Sequence, residues 1–182
     1  MRRKTPGFVA AAALMFLGAG ALAEEGRAPL AKPGDAYVSL QVEGCAAKCP
    51  SFEIYVFSNG RSVFRANNQY TAAKGRHNKN GMPKIYKEIA KYLEDSQAFS
   101  PHPECAQHSD QATIVTVQSA RDSQVQKSSW STACVDQREK ARAVAKVFVN
   151  QTGMWKLIHS DTRYWEKYWE NPAMTGRDDV AQ

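Results

Sequence analysis

Apolar and polar positions alternate with period two over several short stretches of the chain, as in strands with one buried face and one wet face. In Ala36 to Glu43, Val38, Leu40 and Val42 share a side. Ser51 to Phe57 repeats the pattern with Phe52, Ile54 and Val56. Asn59-Gly60 follows, a strong hairpin signal because both central residues of a two-residue turn take positive φ. Arg61 to Ala66 then returns as the partner strand, with Val63 or Phe64 facing inward. Residues 67–82 are polar and glycine-bearing and predict a loop, with room for one short edge strand near Tyr70 to His77. Thr113 to Ser119 and Val125 to Ser131 form a second hairpin around Arg121-Asp122-Ser123.

Between the hairpins the period changes. Ile85, Ile89 and Leu93 recur every four residues behind Pro83, which suits the first turn of a helix, so Pro83 to Asp95 reads as amphipathic helix. Asp136 to Gln151 is a second helix, with Ala141, Val144, Ala145, Phe148 and Val149 on one side and Gly153 ending it. Ser100 to Asp110 is a loop stiffened by Pro101 and Pro103. The order predicts an α+β domain: an antiparallel sheet of about five strands, built from two hairpins, with two helices packed on one face. A short helix from Thr162 to Glu170 and a frayed end complete the reading.

The N-terminus follows a different rule. Arg2, Arg3 and Lys4 precede the charge-free stretch Phe8 to Leu22, and Ala21-Leu22-Ala23 supplies a small-x-small cleavage pattern, so residues 1–23 read as a secretory signal peptide cut after Ala23. The run is shorter than the roughly 20 apolar residues that a membrane-spanning helix needs, and no later stretch is long enough either. Residues 24–35 are a flexible lead-in, 36–160 the domain, and 161–182 an aromatic C-terminal helix and tail. The expected location is the periplasm or the exterior, with no membrane span left after cleavage. Removing 1–23 also takes three of the 24 basic residues and none of the 18 acidic ones, so the formal charge of +6 falls by half. Lys74, Arg76, Lys79, Lys84, Lys87 and Lys91 then read mostly as the solvated side of a helix, and nucleic acid is not the expected partner.

Four cysteines in an exported chain make up to two disulfides, with three possible connectivities. Locality favours Cys45–Cys49, within the loop between the first two strands, and Cys105–Cys134, tying the loop after the first helix to the start of the second. A sharper alternative exists. Cys45-Ala46-Ala47-Lys48-Cys49-Pro50 looks like the copper-binding motif of exported copper chaperones with a thioredoxin-like fold, since thiolates favour Cu(I) and Lys48 could lower a thiol pKa. In those chaperones the motif opens a helix, whereas here it leads straight into a hairpin, and a third ligand would have to come from His77, His102, His108 or His159. Cys45 and Cys49 are therefore the metal candidates, set against a plain structural disulfide. His102-x₂-Cys105-x₂-His108 has the wrong spacing for the usual zinc pairs.

The stretch from Cys45 onward resembles a family of exported bacterial domains known as domain of unknown function family 6438. The resemblance rests on Cys45, Cys49-Pro50, Phe52, the alternating Ile54 and Val56, Asn59-Gly60 and the returning Val63-Phe64, with Gly75, Phe99 and Asp110 as later points of similarity. It covers roughly Tyr37 to Ile158. Cys105, Cys134 and the aromatic C-terminal extension depart from the pattern. The resemblance implies the fold and the location, and it brings no catalytic residue with it.

No G-x-S-x-G, H-E-x-x-H, P-loop or dinucleotide fingerprint is present, and no catalytic residue or cofactor is assigned. Tyr164-Trp165 and Tyr168-Trp169 stand one helical turn apart and either cover the domain's own sheet or form a partner patch through Trp165, Tyr168 and Trp169. The expectation is a non-enzymatic exported module that binds an unknown protein or cell-envelope component. The alternative is a thiol-redox or copper-binding protein using Cys45 and Cys49.

Overall fold

Among the described residues, the alternating stretches become strands and the two helical repeats become helices. The structure, a computed structural model, describes residues 30–44, 49–81, 83–105 and 112–159. In chain order the elements are β1 (Tyr37–Glu43), β2 (Phe52–Phe57), β3 (Ser62–Ala66), β4 (Arg76–Lys79), α1 (Pro83–Asp95), β5 (Ile114–Arg121), β6 (Gln124–Ser131), α2 (Val135–Thr152) and α3 (Trp155–Ile158). They form one six-stranded sheet in the order β4-β3-β2-β1-β5-β6, antiparallel at every pair. The fold is α+β as the patterning implies, with six strands rather than about five. The sixth is the short edge strand β4, which runs Arg76–Lys79 and not Tyr70 to His77.

Register explains which face is buried. Val38, Leu40 and Val42 of β1 stand opposite Val56, Ile54 and Phe52 of β2. On the other side Leu40 and Val42 meet Val117 and Val115 of β5. These side chains pack with Ile85, Ile89 and Leu93 of α1 and with Ala141, Val144, Ala145, Phe148 and Val149 of α2 in one core. Most of them are wholly out of water, and each large side chain so buried contributes roughly 1.5–3 kcal/mol. Phe64, not Val63, joins this core, stacked on Phe52 at 5.7 Å between ring centroids.

The two hairpins differ from their expected turns. Asn59-Gly60 does not make a two-residue turn. Phe57 N–H donates to Arg61 O at 2.8 Å, closing a loop of Ser58, Asn59 and Gly60 in which Gly60 alone has positive φ, +85°. A left-handed glycine after a type I turn suits a three-residue loop of this kind. The extra residue sets the register. It places Glu53 opposite Arg65, whereas a two-residue loop would have slid Arg65 against the core residue Ile54. The β5–β6 hairpin has the tight form instead: Arg121 pairs with Gln124, and Asp122 and Ser123 lie between them at φ +50° and +65°.

Both helices end in the same way. After α1, Ala98 N–H reaches Leu93 O and Gln97 N–H reaches Glu94 O, each at 2.9 Å. After α2, Met154 N–H reaches Val149 O and Gly153 N–H reaches Asn150 O, each at 3.2 Å. These paired bonds satisfy carbonyls that would otherwise be left without partners. Met154 then enters the core, and α3 follows, which the patterning did not predict. Its carbonyls at Leu157 and Ile158 accept the N–H groups of Ala73 and Ala72 at 2.9 Å, fixing the loop before β4.

On the other face of the sheet a small cluster forms at one corner, where Leu30 packs with Phe57 and Val63 beside Ala31, Tyr37 and Tyr55. Of the lead-in, residues 30–35 are described: Leu30 is 6% exposed, and Asp35 N–H closes a turn on Lys32 O at 3.0 Å. The expected signal peptide and residues 160–182 lie outside the described residues.

Candidate functional site

All three described cysteines lie toward one end of the sheet, where β1, β3 and β6 finish and β2 and β5 begin. Cys49 approaches β2 from the inside. It is fully buried and disulfide-bonded, and Cys45, its expected partner, lies outside the described residues. Asn68 organises the corner. Its Nδ2 donates to Cys49 O at 2.8 Å, while its Oδ1 accepts from the N–H groups of Ser51 and Tyr70 at 3.1 Å. Ser51 Oγ donates to Val42 O at 3.1 Å, pinning the loop to the end of β1. The chain packs so closely that a Cβ on Gly44 would stand 2.6 Å from Cys49 O, which excludes any other residue there without rearrangement.

Thiol exchange needs an attacking sulfur to reach the disulfide, and rapid metal capture needs an exposed thiolate. Cys49 offers neither approach from its own side while the corner stays closed.

The second cysteine corner is the bridge Cys105–Cys134, with Cα atoms 5.8 Å apart. Cys134 occupies the N-cap of α2 and makes no side-chain capping bond. The bridge fastens residues 101–105 beside β6. There His102 lies over Trp130 at 5.8 Å, and Gln137 Nε2 donates to Pro103 O at 2.7 Å. A cleft of about 260 Å³ opens among His102, Cys105, Trp130 and Gln137. Cys105 is committed to its bridge, and His108 lies outside the described residues. His77 packs against Phe64 at 6.2 Å, and His159 follows α3. Among the described residues no three His, Cys, Asp or Glu side chains converge as a metal-binding set.

A wider open groove of about 1160 Å³ lies between α1 and the β5–β6 hairpin, with Tyr86, Leu93 and Phe99 on one side and Ser119, Gln124 and Gln126 on the other. Two surface ion pairs lie along it, Arg121 with Asp122 at 3.3 Å and Lys91 with Asp95 at 2.7 Å, and the hydrogen bond from Asp95 raises the pKa of the Lys91 ammonium.

The patterning missed the most organised polar group in the fold. On the sheet face opposite the helices, Arg65 donates to Glu53 Oε2 at 2.6 Å and Asn67 donates to Glu53 Oε1 at 3.2 Å, with Glu53 only 7% exposed. Tyr55 lies two residues along β2, its ring 5.3 Å from that of Tyr37, whose hydroxyl donates to Gln118 at 3.3 Å. Burial, then the negative charge of Glu53 and the neighbouring Tyr37, push Tyr55 up to about 12, with Arg65 opposing. The signal was present in the sequence as a Glu and an Arg at outward positions of one hairpin, but their pairing depends on a loop length that composition does not reveal. The expected patch residues Trp165, Tyr168 and Trp169 lie outside the described residues. Upstream of them, Trp155 packs against the main core, with Lys156 Nζ 4.9 Å from its ring centre.

A family model described as domain of unknown function DUF6438 matches residues 36–151, which takes in the whole sheet, α1 and most of α2. No curated protein and no solved structure matches the chain.

Proposed function

The chain belongs to the domain of unknown function family DUF6438, and within that family we propose that it is an exported, disulfide-stabilised, non-enzymatic module that binds a protein or cell-envelope partner in the periplasm or outside the cell. The observation that carries this reading is that Cys49, Cys105 and Cys134 are all disulfide-bonded, a state typical of oxidising compartments. The charged n-region, apolar stretch and Ala21-Leu22-Ala23 support the same location. The contact surface includes Trp165, Tyr168 and Trp169, residue types enriched where binding energy concentrates. Full burial of Cys49 favours a structural disulfide with Cys45 over the thiol-redox or copper reading.

The test is a thiol count on protein taken from its native compartment, followed by Cu(I) titration after mild reduction. No reactive thiol, N-terminal sequence starting at Glu24, and no tight copper site are the expected results. Tight stoichiometric Cu(I) that disappears in Cys45→Ser would establish the redox-metal reading in its place.

A further inference from the structure

The two cysteine corners differ in how their sulfur can be reached. Cys49 is fully buried, whereas Cys105 is half-buried at the end of an exposed strap, residues 101–104, and the cleft of about 260 Å³ opens against it. The strap lies over the C-terminal half of the edge strand β6. His102 Nε2 donates to Ser129 O at 2.9 Å, and the imidazole stacks on Trp130. Gln137 joins the two sides: its Nε2 donates to Pro103 O, and its Oε1 accepts Ser131 N–H at 3.0 Å. Trp130, beneath His102, is only 3% exposed. Both flanks of this segment are held without the bridge. Before it Phe99 packs against the main core, and after it Thr113 is fully buried, its N–H donating to Thr132 Oγ1 at 2.9 Å.

We propose that Cys105–Cys134 is a site of thiol–disulfide exchange with a dithiol protein, and that its reduction releases residues 101–105 from Trp130 while the sheet and both long helices stay folded. This device goes beyond the binding module proposed above and uses none of its aromatic contact residues.

The exchange has a direction. A thiolate of the dithiol attacks Cys105 Sγ from the cleft, a mixed disulfide forms, and the Cys105–Cys134 bond breaks with Cys134 leaving as thiolate. The second thiol then attacks the mixed disulfide and frees Cys105. Two electrons pass to the bridge, the dithiol ends as a disulfide, and the two protons it gives up end on Cys105 and Cys134. Cys134 is the better leaving sulfur because it holds the N-cap of the 18-residue α2 with no side-chain capping bond. Once free, it can accept the first-turn amides that the bridged sulfur does not, at the end of the helix that favours negative charge. Asp136 in that turn weakens the preference, while Glu104 beside Cys105 works in its favour. Val135, next to the bridge and 71% exposed, gives the incoming protein an apolar contact. After reduction, two hydrogen bonds and one ring contact are left to order five residues, four of them exposed. The conformational entropy of that segment outweighs them, so the strap opens.

Mixing the full oxidised chain with a thioredoxin whose second active-site cysteine is replaced by serine should trap a mixed disulfide, and peptide mapping should place it on Cys105. With intact reduced thioredoxin, Cys105 and Cys134 should become open to alkylation about tenfold faster than Cys49, with an unchanged circular dichroism spectrum. A glutamate-specific protease should then cut after Glu104 about tenfold faster than in the bridged protein. Cys105→Ser with Cys134→Ser should be cut at that faster rate with no reductant present. The proposal fails if no mixed disulfide forms, if it forms on Cys134 or Cys49, or if alkylation comes only with loss of the circular dichroism signal. Equal cutting after Glu104 in the bridged and reduced proteins also overturns it.

Discussion

Arg65 and Glu53 meet across β2 and β3 at 2.6 Å, with side chains 19% and 9% exposed. Removing water from both ions is costly, so the pair is weak evidence for added stability, yet breaking it strands a carboxylate. Arg65→Met alone should therefore cost roughly 3 kcal/mol, whereas Glu53→Leu with Arg65→Met should stay within about 1 kcal/mol of the parent. Urea unfolding of the two variants distinguishes the cases; equal losses would mean that the ions contribute through packing. Tyr55 carries the consequence into pH. Its phenol is neutral when protonated, and burial raises its pKa to about 12 from the ordinary 10.0. Below about pH 10 folded and unfolded chains are both protonated there and the stabilisation is complete. Between about 10 and about 12 the unfolded chain ionises first, so stability falls as pH rises. Tyr55→Phe should make that alkaline decline shallower and remove one late-titrating tyrosinate from the absorbance titration at high pH.

At the scale of elements, the two hairpins show what patterning can and cannot reveal. Burial of one face forces alternation, so β1, β2, β3, β5 and β6 were all legible to within a few residues. Strand β4 was legible only as room for a short edge strand and not in its bounds, because Arg76, His77, Asn78 and Lys79 are all exposed or half-exposed and carry no hydrophobic period. Helix α3 is only four residues long, too short for a 3.6-residue repeat to register. Turn type escaped for another reason: Asn-Gly permits a two-residue turn without requiring it, and the register of Ile54 against Phe64 decided for three. The same logic gives a prediction. Ser123 sits at φ +65° without being glycine, a conformation that costs an L-residue roughly 1–2 kcal/mol. Ser123→Gly should raise stability by about 1 kcal/mol and lift the melting temperature, since Asp-Gly is favoured in such turns. A lower melting temperature would mean that the Ser123 side chain supports the hairpin.

For the molecule as a whole, the larger lever is the bridge between Cys105 and Cys134, 29 positions apart. Closing a loop of that size restricts the unfolded chain by about 3.6 kcal/mol, against ~2 for a loop of about five residues. Cys105→Ala with Cys134→Ala should thus lower the melting temperature more than Cys45→Ala with Cys49→Ala, and the opposite order would shift the main contribution to the buried Cys49 corner. Sequence spacing made the Cys105–Cys134 bridge legible, but not what it secures: His102 and Gln137 covering half of β6. Contacts between residues so distant in the chain leave no local signature. The position of β1 matters most for assembly. Its hydrogen-bonding partners are β2 on one side and β5 on the other, so Glu43 meets Ile114 only after α1 and the long loop have been made. A nascent chain emerging N-terminus first can complete the β1–β4 meander early, but it must hold the apolar flank of β1 unpaired until the last third of the polypeptide arrives. During that interval the future centre of the sheet is its rim, and a chaperone acting on this chain has its clearest task there.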